Sequence, residues 1–157
     1  MIQIKHRHTN KVLFEGDYGS LKETLAAAVA KGADLRGADL YGANLRGANL
    51  TAFRDDIWAV LSSNPAEVPA LLEALQNGQV DGSTYTGDCA CLVGTIANAK
   101  QCDYQELPNL KPDSSRLAEV WFCRIGKGDT PETSETVRQT VEWVETWLDG
   151  VRAAFGK

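Results

Sequence analysis

The chain has 157 residues, of which 43% are hydrophobic and 24% charged, and its net charge at pH 7 is −5; this composition is typical of a globular protein of one domain or two small ones. Its apolar runs are only a few residues long, which excludes a membrane-spanning helix, since such a helix needs about 20 apolar residues. The four cysteines are too sparse for the disulfide framework of a small secreted protein.

Charge is divided unevenly along the chain. Residues 1–54 carry eight Lys/Arg against five Asp/Glu, whereas residues 55–157 carry eight against sixteen. The division indicates either two faces with different partners or ordinary variation among solvated surface residues. Residues 1–7 lack the apolar stretch of a signal peptide, so we expect a cytoplasmic protein.

Residues 1–32 predict a β-hairpin followed by a helix. Residues 2–8 alternate between apolar and polar side chains, Thr9 and Asn10 supply a turn, and residues 11–15 can pair back. Ser20 and Glu23 form a capping box that starts a helix. The following Gly32 is expected to end that helix.

Residues 33–52 repeat one pattern every five residues, in the units ADLRG, ADLYG, ANLRG and ANLTA. Neither the helical period nor the heptad period accounts for this spacing. The segment resembles the pentapeptide-repeat family, in which each repeat forms one side of a right-handed quadrilateral β-helix. The resemblance implies inward leucines (Leu35, Leu40, Leu45, Leu50) and outward side chains (Arg36, Tyr41, Arg46, Thr51).

Four repeats complete only a single coil. A single coil leaves a leucine layer and strand edges open above and below. Neighbouring helices or a second protomer must cover these surfaces, so we expect a homo-oligomer. One coil is also too short to imitate duplex DNA as long stacks of this family do. We therefore expect no contact with duplex nucleic acid or with topoisomerases.

Residues 53–157 predict a mainly helical domain with one or two strands. Short helices are expected over residues 57–61, 65–77 and 88–100, and a strand over residues 119–125. A long amphipathic helix starts near residues 132–135, because Val137, Val141, Val144, Leu148, Val151 and Phe155 form one apolar stripe. The predicted fold is α+β in three parts: hairpin and helix (1–32), repeat coil (33–52) and helical domain (53–157).

The cysteines and histidines do not form a strong site pattern. Cys89 and Cys91 are one residue apart, whereas zinc pairs usually have two to four intervening residues. His6 and His8 are far from every cysteine in sequence and lack a third metal ligand. We predict no catalytic residue, metal or cofactor. An enzyme that uses Cys89 or Cys91 is the alternative, which a fast-reacting thiol would reveal.

Two groups of residues are candidates for ligand binding. Residues 82–87 precede a predicted helix and offer backbone N–H groups with Thr84 and Tyr85, although a capping Asp88 would repel phosphate. Arg36, Tyr41 and Arg46 offer guanidinium groups and a ring that suit phosphates and bases. These three diverge within one coil and would converge only across a symmetric assembly. Solvated coil positions and a capped turn are the alternative interpretations.

The last helix carries a candidate surface for a protein partner. Its members are the carboxylates opposite the apolar stripe and the two flanking tryptophans: Glu135, Glu142, Glu145, Asp149, Trp143 and Trp147. Such a face could imitate a phosphate backbone. Arg138 and Arg152 interrupt it, so an ordinary solvent-facing helix surface is the alternative.

The whole arrangement of residues 1–52 resembles small pentapeptide-repeat proteins encoded by bacteriophages and prophages. The resemblance implies a non-enzymatic protein, in the host cytoplasm, that antagonises antiviral defence. It would sequester a small signalling nucleotide or cap a host defence protein. A cysteine enzyme and a module that assembles through the coil are the alternative functions.

Overall fold

A computed structural model describes residues 1–35, 38–39 and 50–155. The elements, in chain order, are β1 (Ile2–Lys5), β2 (Val12–Gly16), α1 (Leu21–Ala30), α2 (Thr51–Ser63), α3 (Val68–Gln76), α4 (Leu92–Lys100), α5 (Leu117–Phe122) and α6 (Glu135–Phe155). Single 3-10 turns cover Pro65–Glu67 and Tyr104–Glu106. Helices combined with a two-stranded antiparallel sheet confirm an α+β fold at this level. None of the described helices is both long and apolar enough to cross a membrane.

The N-terminal hairpin and helix form as the sequence predicts. Strand β1 pairs antiparallel with β2, with Ile4 opposite Phe14, and Ile4 is buried in the core. Ser20 caps α1, because its side chain accepts a hydrogen bond from the backbone N–H of Glu23. Gly32 has a φ of +67° just after the helix, a left-handed conformation that suits glycine.

Most of the predicted repeat coil, residues 36–37 and 40–49, lies outside the described residues. Leu35, which the resemblance assigns to the coil interior, is buried, and so is Ala38. Ala38 also forms an isolated antiparallel bridge with His6 of the hairpin turn. Helix α2 begins at Thr51 and includes the last two residues of the fourth repeat.

One hydrophobic core connects the hairpin with the C-terminal helices. Helix α2 packs against α5 and α6, α3 against α4 and α6, and α4 against α5. Trp121 is central to this core: its ring centroid lies 5.0 Å from that of Trp143 and 5.7 Å from that of Phe53. Its indole N–H donates to the Thr140 hydroxyl at 2.8 Å. This bond satisfies a polar group that the aromatic packing removes from water.

The apolar stripe of α6 is buried at its beginning and emerges towards its end. Val137, Val141 and Val144 are buried, whereas Phe155 is 77% exposed. The helix is also fixed to α2 by two hydrogen bonds from tryptophans. Trp58 donates to the backbone carbonyl of Trp143 at 2.9 Å, and Trp147 donates to the hydroxyl of Ser62 at 3.1 Å.

The strand predicted over residues 119–125 is wrong, because this segment contains the end of helix α5. Its alternation of large apolar residues suits a strand, but tertiary contacts favour the helix. The Asp56 carboxylate of α2 accepts hydrogen bonds from the Arg116 guanidinium at 2.7 and 3.1 Å. It also accepts from the backbone N–H of Ala118 at 2.8 Å. These bonds satisfy the donor groups at the start of α5.

The helix predicted from residue 88 begins only at Leu92. The preceding residues are held extended, because Val80 and Ala90 form an isolated parallel bridge. The backbone N–H of Cys91 donates to the Thr84 carbonyl at 2.8 Å. Asp88 is therefore exposed in a loop and does not cap the helix, and Cys91 occupies the capping position.

Candidate functional site

A cavity of about 240 Å³ lies where the hairpin turn meets the loop before α4 and the end of α5. We name this cavity the Arg7 pocket. The residues that line it are Arg7, His8, Gly82, Ser83, Thr84, Tyr85, Cys91, Ser114, Glu119 and Cys123. It therefore brings a guanidinium, an imidazole, a buried carboxyl, two thiols and several hydroxyls to one place.

The hairpin turn positions Arg7 and His8 at the pocket. Backbone hydrogen bonds from His6 to Lys11 and from Asn10 to His6, both 2.8 Å, close the turn. The His6 imidazole accepts a further bond from the backbone N–H of His8 at 3.2 Å. His6 thus stabilises the turn. In the described part of the chain, no three His, Cys, Asp or Glu side chains cluster as a metal site requires.

Two glycines allow the loop before α4 to approach the helices closely. A Cβ at Gly82 would lie 2.0 Å from the backbone oxygen of Phe122, and one at Gly94 would lie 2.3 Å from that of Tyr85. Any side chain at either position would force the backbone apart. The N–H of Gly82 also donates to the Ile125 carbonyl at 2.9 Å. This approach brings the loop hydroxyls against the end of α5.

The main polar contact of the pocket joins Arg7 to Cys123. Nη1 of Arg7 donates to Sγ of Cys123 at 2.9 Å. Nε and Nη2 of the same guanidinium are shielded from solvent and have no acceptor among the described residues. A buried donor without an acceptor costs about 1–3 kcal/mol, and more when it is charged. Two nitrogens of the guanidinium therefore have unused hydrogen-bonding capacity.

Glu119 holds the aromatic side of the pocket in place. It is 4% exposed; Oε1 accepts from the Tyr85 hydroxyl at 2.6 Å and Oε2 from the Asp113 N–H at 2.7 Å. Burial raises the pKa of the Glu119 carboxyl, and these two bonds oppose that shift. Burial and the bond to Glu119 also raise the pKa of Tyr85, whose ring stacks on Tyr104 at 5.1 Å. Both carboxyl oxygens are thus committed to the protein.

The second thiol of the pocket, Cys91, is 6% exposed at the N-terminus of α4. Burial raises the pKa of this thiol to about 11, although the N–H groups of Gly94 and Val93 favour the thiolate. Cys91 is therefore protonated near neutral pH. The expectation that Cys89 and Cys91 share a helix is wrong, since both precede Leu92. Cys91 is buried, whereas Cys89 is half-buried.

The pocket contains only part of the ligand site predicted from sequence. Thr84 and Tyr85 line it. Arg36, Tyr41 and Arg46 lie outside the described residues, so their convergence stays a prediction. The loop that carries Thr84 contributes side-chain hydroxyls here, because the helix N-terminus that was expected at residue 88 lies further along the chain.

The predicted partner surface on α6 divides into two kinds of residue. Its carboxylates, Glu135, Glu142, Glu145 and Asp149, are exposed. Two of them form ion pairs one turn away, Glu135 with Arg138 and Asp149 with Arg152. Trp143 is only 9% exposed and contacts the core, and Trp147 is half-buried. The solvent-facing part of this helix is therefore acidic and carries little of Trp143.

Sequence reasoning missed Arg7, His8, Glu119 and Cys123 as pocket residues. Glu119 carries a local signal, since it interrupts the apolar run of residues 117–125. A carboxyl in a run that must be buried requires hydrogen-bond partners. Arg7 and Cys123 are 116 residues apart, so no pattern of spacing joins them.

Comparison with known families identifies one segment. Residues 24–52 match the family model described as pentapeptide repeats (8 copies). This segment carries pentapeptide repeats. The matched segment begins inside helix α1, which ends at Ala30. The regular A(D/N)L pattern itself starts at Ala33. No curated protein and no solved structure matches the chain.

Proposed function

We propose that the protein is a non-catalytic binding protein that holds a small anionic ligand in the Arg7 pocket. The observation that carries this proposal is the Arg7 guanidinium, with two shielded nitrogens that lack an acceptor among the described residues. A carboxylate or phosphate oxygen would supply that acceptor once the groups that shield these nitrogens move aside. Charge-assisted hydrogen bonds of this kind are roughly twice as strong as neutral ones.

The size of the pocket limits the ligand. Its volume of about 240 Å³ is somewhat below the roughly 300–1,000 Å³ of sites that enclose drug-sized molecules. The pocket therefore suits one anionic group with a small organic body, or one part of a larger molecule. Ser83 and Thr84 add hydroxyls to the wall, and Tyr85 adds a ring held by Glu119.

Binding without catalysis fits the state of the Cys91 thiol and the Glu119 carboxyl. Cys91 is protonated near neutral pH, since burial raises its pKa to about 11, and a thiol nucleophile must act as the thiolate. Glu119 uses both oxygens to hold Tyr85 and Asp113, so it is not free to act as a general base. These features support retention of a ligand over its conversion.

The biological role that we attach to this binding is the one implied by the resemblance to phage proteins. A signalling nucleotide supplies a phosphate for Arg7 and a base or sugar for the tyrosine side of the pocket. Its sequestration would antagonise a host defence that depends on that signal. Two protomers of a homo-oligomer would hold two such ligands.

A thermal-shift and calorimetry panel tests the proposal. The probes are adenosine 5′-monophosphate, inorganic phosphate and uncharged adenosine, each titrated into the full chain. We expect stabilisation by the phosphate-bearing probes and none by adenosine. Arg7→Gln should abolish the shift, whereas Arg138→Gln on the exposed face of α6 should retain it. Equal responses of both variants to every probe would refute the assignment of the ligand to Arg7.

A further inference from the structure

We propose that Cys123 is a covalent modification site that exchanges with small anionic disulfides. The inference goes beyond ligand binding, and its central test uses no ligand. Cys123 is half-buried and lines the Arg7 pocket, so a small reagent can reach its sulfur. Arg7 donates to that sulfur at 2.9 Å. Reactive cysteines occupy this kind of setting, partly exposed and beside a cation, because the thiolate is the nucleophile.

The contacts of Arg7 single out the Cys123 sulfur as its hydrogen-bond acceptor. Among the described residues, Arg7 has no ion pair with a carboxylate. The carboxyl in the pocket belongs to Glu119, and its two oxygens accept hydrogen bonds from Tyr85 and Asp113. The Cys123 sulfur is the acceptor that the described part of the chain provides.

The reaction is a thiol–disulfide exchange. The Cys123 thiolate attacks one sulfur of the small disulfide, and a new S–S bond forms between them. The original S–S bond breaks, and the other half leaves as a thiolate that takes up the proton released from Cys123. Cys123 and the bound half share the new disulfide, and the departing half is the reduced product. The incoming disulfide is itself the oxidant.

The charge of the small disulfide determines how fast it reacts with Cys123. The Arg7 guanidinium lies beside the Cys123 sulfur, so its positive charge attracts a carboxylate on the incoming molecule while the disulfide approaches Cys123. Dithiodiglycolate carries such carboxylates, and cystamine is a cationic disulfide of similar size. We expect the anionic reagent to react faster. The adduct would then occupy the pocket of about 240 Å³ and exclude the proposed ligand.

The other three cysteines serve as internal controls. Cys91 is buried, and burial raises the pKa of its thiol to about 11. Cys89 and Cys102 are half-buried like Cys123, but the described structure gives neither a hydrogen bond from an arginine. Peptide mapping after timed quenching therefore reports the rate at each thiol separately in one sample.

The test treats the folded full chain at pH 7 with each disulfide. We expect Cys123 to react first, and faster with dithiodiglycolate than with cystamine. Arg7→Gln should slow the dithiodiglycolate reaction at Cys123 by about tenfold, which corresponds to about 1.4 kcal/mol, and leave Cys89 and Cys102 unchanged. Arg7→Lys, which keeps the charge, should retain part of the rate. Arg138→Gln is the matched surface control.

Two results would overturn the inference: Cys123 reacts no faster than Cys89 and Cys102, or Arg7→Gln leaves its rate unchanged. Loss of fold in Arg7→Gln would speed the reaction of Cys91, so unfolding is recognised in the same maps. Calorimetry with adenosine 5′-monophosphate on the unmodified chain is a separate readout. A chain that binds the nucleotide but shows an ordinary Cys123 would refute only the thiol site.

Discussion

Gly82→Ala is expected to destabilise the fold strongly, because this glycine lets the pocket loop contact α5. A Cβ at position 82 would lie 2.0 Å from the backbone oxygen of Phe122 and 2.7 Å from Cα of Cys123. Ordinary contact begins at 3.4 Å, so the loop must withdraw by about 1.4 Å, the difference between 3.4 and 2.0 Å. Both opposing atoms belong to the backbone, and side-chain rotation cannot relieve the overlap.

The magnitude follows from two losses. Overpacking of a close contact costs about 1–3 kcal/mol, and withdrawal also stretches the bond from Gly82 N–H to the Ile125 carbonyl, now 2.9 Å, worth about 1 kcal/mol. We therefore expect the free energy of unfolding to fall by about 2–4 kcal/mol. The same movement should draw Ser83 and Thr84 away from the Arg7 pocket.

Urea unfolding followed by tryptophan fluorescence measures this change, since the chain has four tryptophans. Gly150→Ala is the matched control. Gly150 is exposed within α6, and a Cβ there would meet nothing within 4 Å. Alanine in a helix interior should stabilise by up to about 1 kcal/mol relative to glycine. If Gly82→Ala unfolds within about 0.5 kcal/mol of wild type, the range of a neutral surface change, the close-approach argument is refuted.

Two further substitutions test the hydrogen bonds that join α5 to α2 and α6. Burial raises the pKa of the Asp56 carboxyl, but the bonds from Arg116 and Ala118 outweigh this effect, so the net pKa lies below the ordinary 3.8. The ionised carboxylate therefore stabilises the fold. This stabilisation is present above pH 3.8 and is lost as the pH falls through the lower pKa of the folded state. Asp56→Asn should therefore cost about 1–2 kcal/mol at pH 7 in urea unfolding, and progressively less as the pH falls below 3.8. A cost that stays constant down to the acid unfolding of the wild type would contradict the ion pair. Thr140→Val removes the acceptor of the Trp121 indole and should cost about 1–3 kcal/mol in thermal unfolding. Thr146 is the matched control, because its exposed hydroxyl also donates to a carbonyl four residues back. Thr146→Val should cost far less than Thr140→Val. Equal losses in the two variants would contradict a stabilising role for the buried bond.

Features set by neighbouring residues were predictable from sequence. The Ser20 cap and the stop at Gly32 depend on side chains and backbone within one turn. The apolar stripe of α6 follows from helical periodicity, since Val137 and Val144 occupy the same face. Gly78 likewise ends α3 with a φ of +70°. In each case the local signal agrees with the tertiary environment.

Features set by distant contacts were not predictable. Residues 119–125 have the large apolar side chains of a strand, but the Asp56 carboxylate of α2 satisfies the start of α5. Helix α4 begins after Cys91 because the preceding residues bond to Thr84 and its loop. The Arg7 pocket combines the hairpin turn with residues more than 70 positions away, so only its loop residues Thr84 and Tyr85 were recognised.

Native mass spectrometry tests the central claim most directly. It compares wild type with Arg7→Gln, both purified from bacterial cells without a denaturing step. It reports the retained non-protein mass and the number of protomers in one spectrum. We predict one small anionic molecule per pocket in wild type and a bare chain of the same oligomeric state in Arg7→Gln. Spectra with no retained mass in either protein, or with the same mass in both, would contradict the claim that Arg7 holds the ligand.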